Sequence, residues 1–193
     1  MPFDTGLMAL LKAHTGPMAR KVAVVFTNIG AFDGICIYPT LIMLLWGWAR
    51  KLPRWRRHAL LYMTTILLVG LAANILRGGL GRARPGNPDG WYGPTIKSKY
   101  NSFPSAHASV AGASFAYVLV ACPPASVPVG AIALGICWSR VQLERHRPSD
   151  IVFGAGLGFT IAFVFNRALR RTFSLGGPPT ESTTVAGPPH PPS

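Results

Sequence analysis

Acidic residues are scarce in this sequence: six Asp and Glu among 193 residues, against 19 Lys and Arg. So few carboxylates leave no acidic cluster that would hold a metal ion. Charged residues of both signs make up only 13% of the chain, about half the roughly 25% of a soluble domain. With 49% hydrophobic residues, that shortage excludes an ordinary soluble protein and points to a membrane protein. Cysteine is nearly absent too. Cys36, Cys122 and Cys137 lie in or beside apolar runs, with neither metal-ligand spacing nor a disulfide framework, and read as packing residues. There is no internal repeat. The first 21 residues lack the uninterrupted apolar length of a membrane span or a secretory signal.

What is there is basic and apolar in alternation. A net charge of +13 suits nucleic acid, anionic lipid headgroups or a phosphorylated substrate. Because the charges lie between apolar runs, nucleic acid is excluded. Residues 1–21 carry Leu7, Met8, Leu10 and Leu11 beside Lys12, Arg20 and Lys21. They read as a helix lying at the bilayer surface, the alternative being a frayed terminus. Residues 22–48 are long enough to cross a bilayer of about 30 Å at 1.5 Å per residue. Trp46 and Trp48 mark the interfacial end, and Pro39 predicts a kink. Asp33 within this run is either functional or placed at a helix end or polar contact near Asn28, the latter being preferred. Arg50 to His58 is a basic anchor. Further spans follow at 59–76, 106–121, 126–138 (extending toward Leu143) and 151–165. Gly154, Gly156 and Gly158 in the last of these allow close helix contact.

The fold class is therefore an all-α integral membrane bundle of about five transmembrane helices, preceded by the N-terminal interfacial segment at 1–21. The membrane-embedded unit is 22–167. Residues 168–193 form a basic, then Pro/Gly-rich, disordered tail. Five spans put the 50–58 block with Arg167, Arg170 and Arg171 on one side, eight basic residues, and the other eleven on the opposite side. A simple positive-inside count therefore works only if some of the eleven serve chemistry.

Three polar segments fall on that second side. The first carries Arg77 and, seven residues on, Arg84-Pro85. The second is Pro104-Ser105-Ala106-His107, and the third runs Ser139-Arg140, then His146, then Asp150. Arginine forks match phosphate oxygens and keep their charge. Ser105 is a good N-cap, leaving the amides of Ala106 and His107 for an anion. Asp150, four residues after His146, is placed to hold one imidazole nitrogen and leave the other as base or nucleophile. Pro148 and Asp150 suit the first turn of the last helix. Arg82, Lys97, Lys99, Glu144, Arg145 and Arg147 read as solvated rim charges. The stretch "PGNPDGWYGP", with Asp89, Trp91 and Tyr92, either folds over a substrate or rests in the interface, and the role of 86–100 stays open.

In order and spacing the three segments resemble the signatures of the type 2 phosphatidic acid phosphatases, over roughly residues 22–167. Two departures stand out: Arg77 occupies a position usually held by Lys, and Ala106 one usually held by Gly. Neither removes the charge or the backbone amide. The resemblance implies a lipid phosphate or diphosphate phosphatase that works without metal or other cofactor. It assigns His146 as the nucleophile forming a phosphohistidine, Asp150 as its orienting acid, and His107 as acid, then base. Arg77, Arg84, Arg140, Ser105 and the amide of Ala106 are the phosphate binders. It further implies a phosphorylated membrane lipid as partner within the bilayer, with no obligate protein partner, and a multi-pass inner (plasma) membrane location with the site facing the periplasm. Substrates in range are phosphatidate, phosphatidylglycerophosphate, undecaprenyl diphosphate and a lipid A phosphate. The alternatives are a lipid-to-lipid phosphotransferase of the same fold and a catalytically silent lipid-binding or transport protein.

Overall fold

The computed structural model describes residues 2–12 and 16–173. Those residues form seven α-helices, α1 (Pro2–Lys12), α2 (Pro17–Ile29), α3 (Tyr38–Ala49), α4 (Pro53–Leu80), α5 (Ala106–Ala121), α6 (Ser126–Gln142) and α7 (Pro148–Phe173). No strand is present among them, and Arg82 and Trp91 form an isolated β-bridge. Three helical stretches are long and apolar enough to cross a bilayer: α4, α6 with its preceding turn, and α7; α2 and α3 together qualify as one span bent by 57°. The shorter apolar α5 supplies the fifth member, so the expected five is reached only by taking the bent pair as one and α5 as another.

Two boundaries move. The first span begins at Pro17, inside the segment read as interfacial, and α7 continues to Phe173, six residues into the expected tail. The rest of that tail, 174–193, lies outside the described residues. The bend is also displaced: it falls at residues 30–32, where α2 ends on Gly30, and not at Pro39. Pro39 sits in the first turn of α3, where a missing N–H is tolerated. The chain just before it is wound one residue wider than an α-helix, Tyr38 N–H donating to the carbonyl of Asp33. Proline offers no N–H to the carbonyl of Ile35, and the Tyr62 hydroxyl of α4 donates there instead at 2.5 Å. Asp33 stands exposed at the start of this wide turn, the preferred reading of the two.

Helix α5 is the hub, because its side chains are small. Ala108, Ser109, Ala111, Gly112, Ala113, Ser114 and Ala116 are all buried. Without a hydrophobic force between helices in lipid, contact depends on how closely backbones approach. Here they nearly touch. A Cβ on Gly158 would lie 1.8 Å from the carbonyl oxygen of Ser109, one on Gly154 2.7 Å from that of Ser105, and one on Gly112 2.3 Å from that of Ala155. Gly156 has open space and faces away, so two of the three expected glycines make the contact. Deeper down, the Asn166 amide of α7 donates to Thr65 Oγ1 of α4 at 3.1 Å. The chain direction brings the end of α4 and of α6 and the start of α5 and of α7 to one end of the bundle.

Gly158→Ala is expected to destabilise the bundle by about 1–3 kcal/mol, the usual cost of overpacking, with Gly156→Ala within about 0.5 kcal/mol of wild type. Thermal melts of the two purified variants in one detergent compare them directly.

Candidate active site

The site is built by a loop that folds back onto the helix ends. Helix α4 stops at Gly81, which adopts a left-handed conformation (φ 63°), and a Cβ there would lie 2.0 Å from the carbonyl oxygen of Gly93. Only glycine fits. The following residues are pinned by backbone pairs: Ala83 N–H to Gly90 O at 3.0 Å, Arg84 N–H to Lys99 O at 2.9 Å, and Ser102 N–H to Arg82 O at 3.0 Å. An aromatic run of Trp91, Phe103 and Phe153, with centroids 5.2 and 4.6 Å apart, ties the loop to α7. Ser105 then caps α5, its hydroxyl accepting from Ala108 N–H at 3.5 Å. Helix geometry leaves the amides of Ala106 and His107 open.

Asp150, with no exposed surface, holds these parts together. Its Oδ1 accepts from Arg82 at 2.6 Å, its Oδ2 from Ser102 Oγ at 2.5 Å and from Arg147 N–H at 2.9 Å. Its backbone carbonyl accepts from Ser105 N–H at 3.1 Å. The sequence reading had this carboxylate holding His146 directly. It does not: Asp150 Oδ2 is 3.9 Å from His146 Nδ1, beyond hydrogen-bond range, because its oxygens are already committed. Nδ1 instead donates to the carbonyl of Ser102 at 2.8 Å. A carbonyl can only accept, so the ring is the Nδ1–H tautomer and the lone pair sits on Nε2. His146 is 1% exposed. Burial, with the charges of Arg140 and Arg84, holds its pKa well below the ordinary 6.5.

The arginines divide into two sets. Arg82 and Arg147 are buried, at 2% and 7% exposure, correcting their reading as rim charges. Arg82 bridges Asp150 and Asp4 (2.9 Å) and lies 3.8 Å from Asp89. Arg147 donates to the carbonyl of Ala83 and lies 3.4 Å from Asp89. Arg77, Arg84 and Arg140 are different: among the described residues none forms an ion pair. Arg77 donates to Asn74 Oδ1, Arg84 to Asn101 O at 3.4 Å, and Arg140 to Thr27 Oγ1 at 3.2 Å. Each keeps a buried Nε without a partner. They sit within one another's fields, and His107 lies in the field of all three. Arg145, Lys97, Lys99 and Glu144 are exposed, as a rim should be.

The structure thus gathers Arg77, Arg84, Ser105, Ala106, His107, Arg140, His146 and Asp150 at one end of the bundle. Sequence reasoning missed Ser102, Asp4 and Ser149. Asp4 accepts from Ser149 N–H and from its hydroxyl, both at 2.9 Å. The scarcity of acids was the available signal: in a chain with six carboxylates, a buried arginine must draw its counter-charge from one of them. One helical turn toward the membrane from His107 and Arg140, at Ala111 and Ile136, an apolar cavity of about 390 Å³ opens. Ile29, Gly34, Ile35 and Tyr62 form part of its wall. Among the described residues no group of three or more His, Cys, Asp or Glu is arranged to hold a metal ion.

A multi-pass helical membrane bundle carrying a basic, two-histidine site at one end is the class that fold and site define. Residues 58–174 match the PAP2 superfamily, and the chain belongs to that family. It is 35% identical over 112 residues to a lipid A 1-phosphatase of Rhizobium johnstonii, covering 53% of this chain and 46% of that protein. A lipid A 1-phosphatase of Rhizobium etli is 36% identical over 100 residues, covering 49% and 43%. The matched region spans about half the length of these curated relatives. Among solved structures the fold is similar to a transmembrane PAP2-type phosphatidylglycerolphosphate phosphatase of Bacillus subtilis (TM-score 0.60, 19% identity, 88% of this chain and 85% of that one). It is equally similar to Aquifex aeolicus LpxE (TM-score 0.59, 18% identity, 84% and 94%).

Replacing Arg147 by Ala is expected to cost about 1–3 kcal/mol, since a buried carbonyl loses its donor. Arg145→Ala should stay within about 0.5 kcal/mol. Denaturation midpoints of the two variants, measured side by side, check the division into buried and rim arginines.

Proposed function

We propose that this protein removes phosphate from a phosphorylated membrane lipid by two successive in-line transfers through a phosphohistidine, without a metal ion. The observation that carries the reading is the trio Arg77, Arg84 and Arg140, one buried and two half-buried guanidiniums with no carboxylate partner among the described residues, beside an imidazole whose tautomer is fixed by Ser102. A phosphate dianion supplies the missing counter-charge. Fixed donors of this kind stabilise charge on the transferring group as bound magnesium does elsewhere.

In the first step His146 Nε2 forms a bond to phosphorus as the bond to the lipid oxygen breaks, and His107 gives that oxygen its proton. In the second, His107 takes a proton from water, the water oxygen attacks phosphorus, and the bond to Nε2 breaks to release inorganic phosphate and neutral His146. Asp150 acts through Ser102 and Arg82, and the amides of Ala106 and His107 share in binding the phosphoryl oxygens.

The apolar cavity below the site suits an acyl chain, which supports a lipid over a soluble phosphate ester. Lipid A 1-phosphate is the substrate to test first, because it is the one named for the curated relatives. The site faces the periplasmic side of the inner membrane. Support for that orientation comes from the arginines: with Arg77, Arg84 and Arg140 reserved for phosphate and Arg82 and Arg147 paired with carboxylates, six basic residues remain on the site side. Eight lie opposite, and the positive-inside rule then puts those eight in the cytoplasm.

Purified protein in EDTA is expected to release free phosphate from lipid A 1-phosphate in preference to phosphatidate, phosphatidylglycerophosphate and undecaprenyl diphosphate. His146→Ala should abolish release while the thermal melt is retained. Activity that needs added magnesium, phosphate that appears on a second lipid, or an active His146→Ala each defeats part of the reading.

A depressed imidazole pKa means that His146 stays neutral at pH 6.5 and is protonated only at lower pH. The acid limb of kcat/KM is therefore expected below pH 6.5. Arg84→Gln, which removes one of the charges that lower it, should shift the limb upward as well as slow the enzyme. Rate profiles of both proteins across pH 4 to 9, on the order of ten points each, read this out.

A further inference from the structure

We propose that Asp4, in the N-terminal helix and outside the region that matches the family, is a positioning residue for the nucleophile. The proposal rests on the reading of His146 given above. Four contacts in series connect the two. Asp4 Oδ2 holds one terminal nitrogen of Arg82 at 2.9 Å, and the other terminal nitrogen reaches Asp150 Oδ1 at 2.6 Å. Asp150 Oδ2 accepts from Ser102 Oγ at 2.5 Å, and the Ser102 carbonyl receives His146 Nδ1–H at 2.8 Å. Every side chain along this line has 2% exposure or less.

The geometry explains why a single carboxylate on α1 matters. A guanidinium held at one nitrogen can still rotate, whereas one held at both ends is fixed. Asp4 is the second clamp. With it in place Arg82 presents its other nitrogen to Asp150 in one orientation, and Asp150 is free to hold Ser102 with its second oxygen. Asp4 also docks the first turn of α7, accepting from the amide and hydroxyl of Ser149 at 2.9 Å each. It stays ionised in its buried place. Burial pushes the carboxyl up, but the bonds from Ser149 and Arg82 outweigh this and leave its pKa below the ordinary value. Asparagine at this position would keep an oxygen for the Ser149 amide, but would turn an NH2 donor toward Arg82 where Asp4 offers a charged acceptor.

A positioning role predicts a kinetic signature that a purely structural role does not. In Asp4→Asn, kcat for lipid phosphate hydrolysis is expected to fall between about tenfold and about a hundredfold, the range for displacing a reacting group by up to 1 Å. KM should remain within about twofold, because Arg77, Arg84 and Arg140 are untouched. Asp4→Glu, which keeps the charge, should recover part of the loss. Arg82→Lys, which keeps one charge but cannot span two carboxylates, should lower kcat similarly, and the double variant Asp4→Asn/Arg82→Lys should be no worse than either single one.

Rates are measured on detergent-purified full-length protein, well below each variant's melting temperature and normalised to the folded fraction, so that reduced stability alone does not imitate the effect. His146→Ala is run alongside. Wild-type kcat in Asp4→Asn, a raised KM at unchanged kcat, or additive losses in the double variant overturns the proposal while an inactive His146→Ala leaves the nucleophile reading standing. Activity in His146→Ala overturns that reading itself.

Discussion

Burying a carboxylate without water costs several kcal/mol unless every lone pair finds a donor, and Asp150 is buried completely. The three donors it collects come from two segments of the chain: Arg82 and Ser102 in the loop between α4 and α5, and the amide of Arg147 just before α7. Its own carbonyl holds Ser105 at the start of α5. One residue therefore fixes the loop that carries Arg84, the cap that precedes His107, and the backbone that receives His146. That is a different kind of control from the direct carboxylate–imidazole contact that the four-residue spacing suggests. The acid sets the position of the acceptor, and the acceptor sets the imidazole.

The same scarcity of acids that marks the composition organises the charges of the site. Three of the carboxylates at this end of the bundle, Asp4, Asp89 and Asp150, are engaged with Arg82 or Arg147, and Glu144 stands exposed on the rim. Among the described residues none forms an ion pair with Arg77, Arg84 or Arg140. Like charges at close range repel, and in a low-dielectric setting they do so strongly. They are held together because the helices and the loop that carry them are packed for other reasons. The site thus stores an unmet demand for negative charge, positioned before any ligand arrives, which is the arrangement that makes electrostatic stabilisation effective.

Apolar run length made the membrane bundle legible, and counting spans placed the three polar segments with the candidate Arg, His and Ser residues on one side, where the fold also gathers them. What the sequence hid was partnership. Nothing local distinguishes Arg82 from Arg145: both lie in basic polar stretches, and only the fold shows the first buried between two acids and the second in water. Asp4 is 145 residues from Ser149 and its contact is purely tertiary. Ser102 meets the imidazole through its backbone carbonyl, a group every residue possesses, so no side-chain pattern announces that contact. Pro39 misled for a related reason. Its missing donor matters only if the orphaned carbonyl has no other partner, and the hydroxyl of Tyr62, on another helix, provides one.

The close contact of α5 with α7 carries consequences for chemistry as well as for stability. Gly154 lies against the carbonyl of Ser105 and Gly158 against that of Ser109, one turn further along. These two contacts fix the register in which α5 runs along α7. A slip by one turn would move Ser105 about 5.4 Å from the carbonyl of Asp150 and carry His107 the same distance from His146. Glycines along the α5–α7 contact thereby set the separation of two side chains at the end of the bundle. In a bundle whose helices gain little from hydrophobic exclusion, register must come from such steric fits, so the precision of this site is supplied by residues that have no functional group.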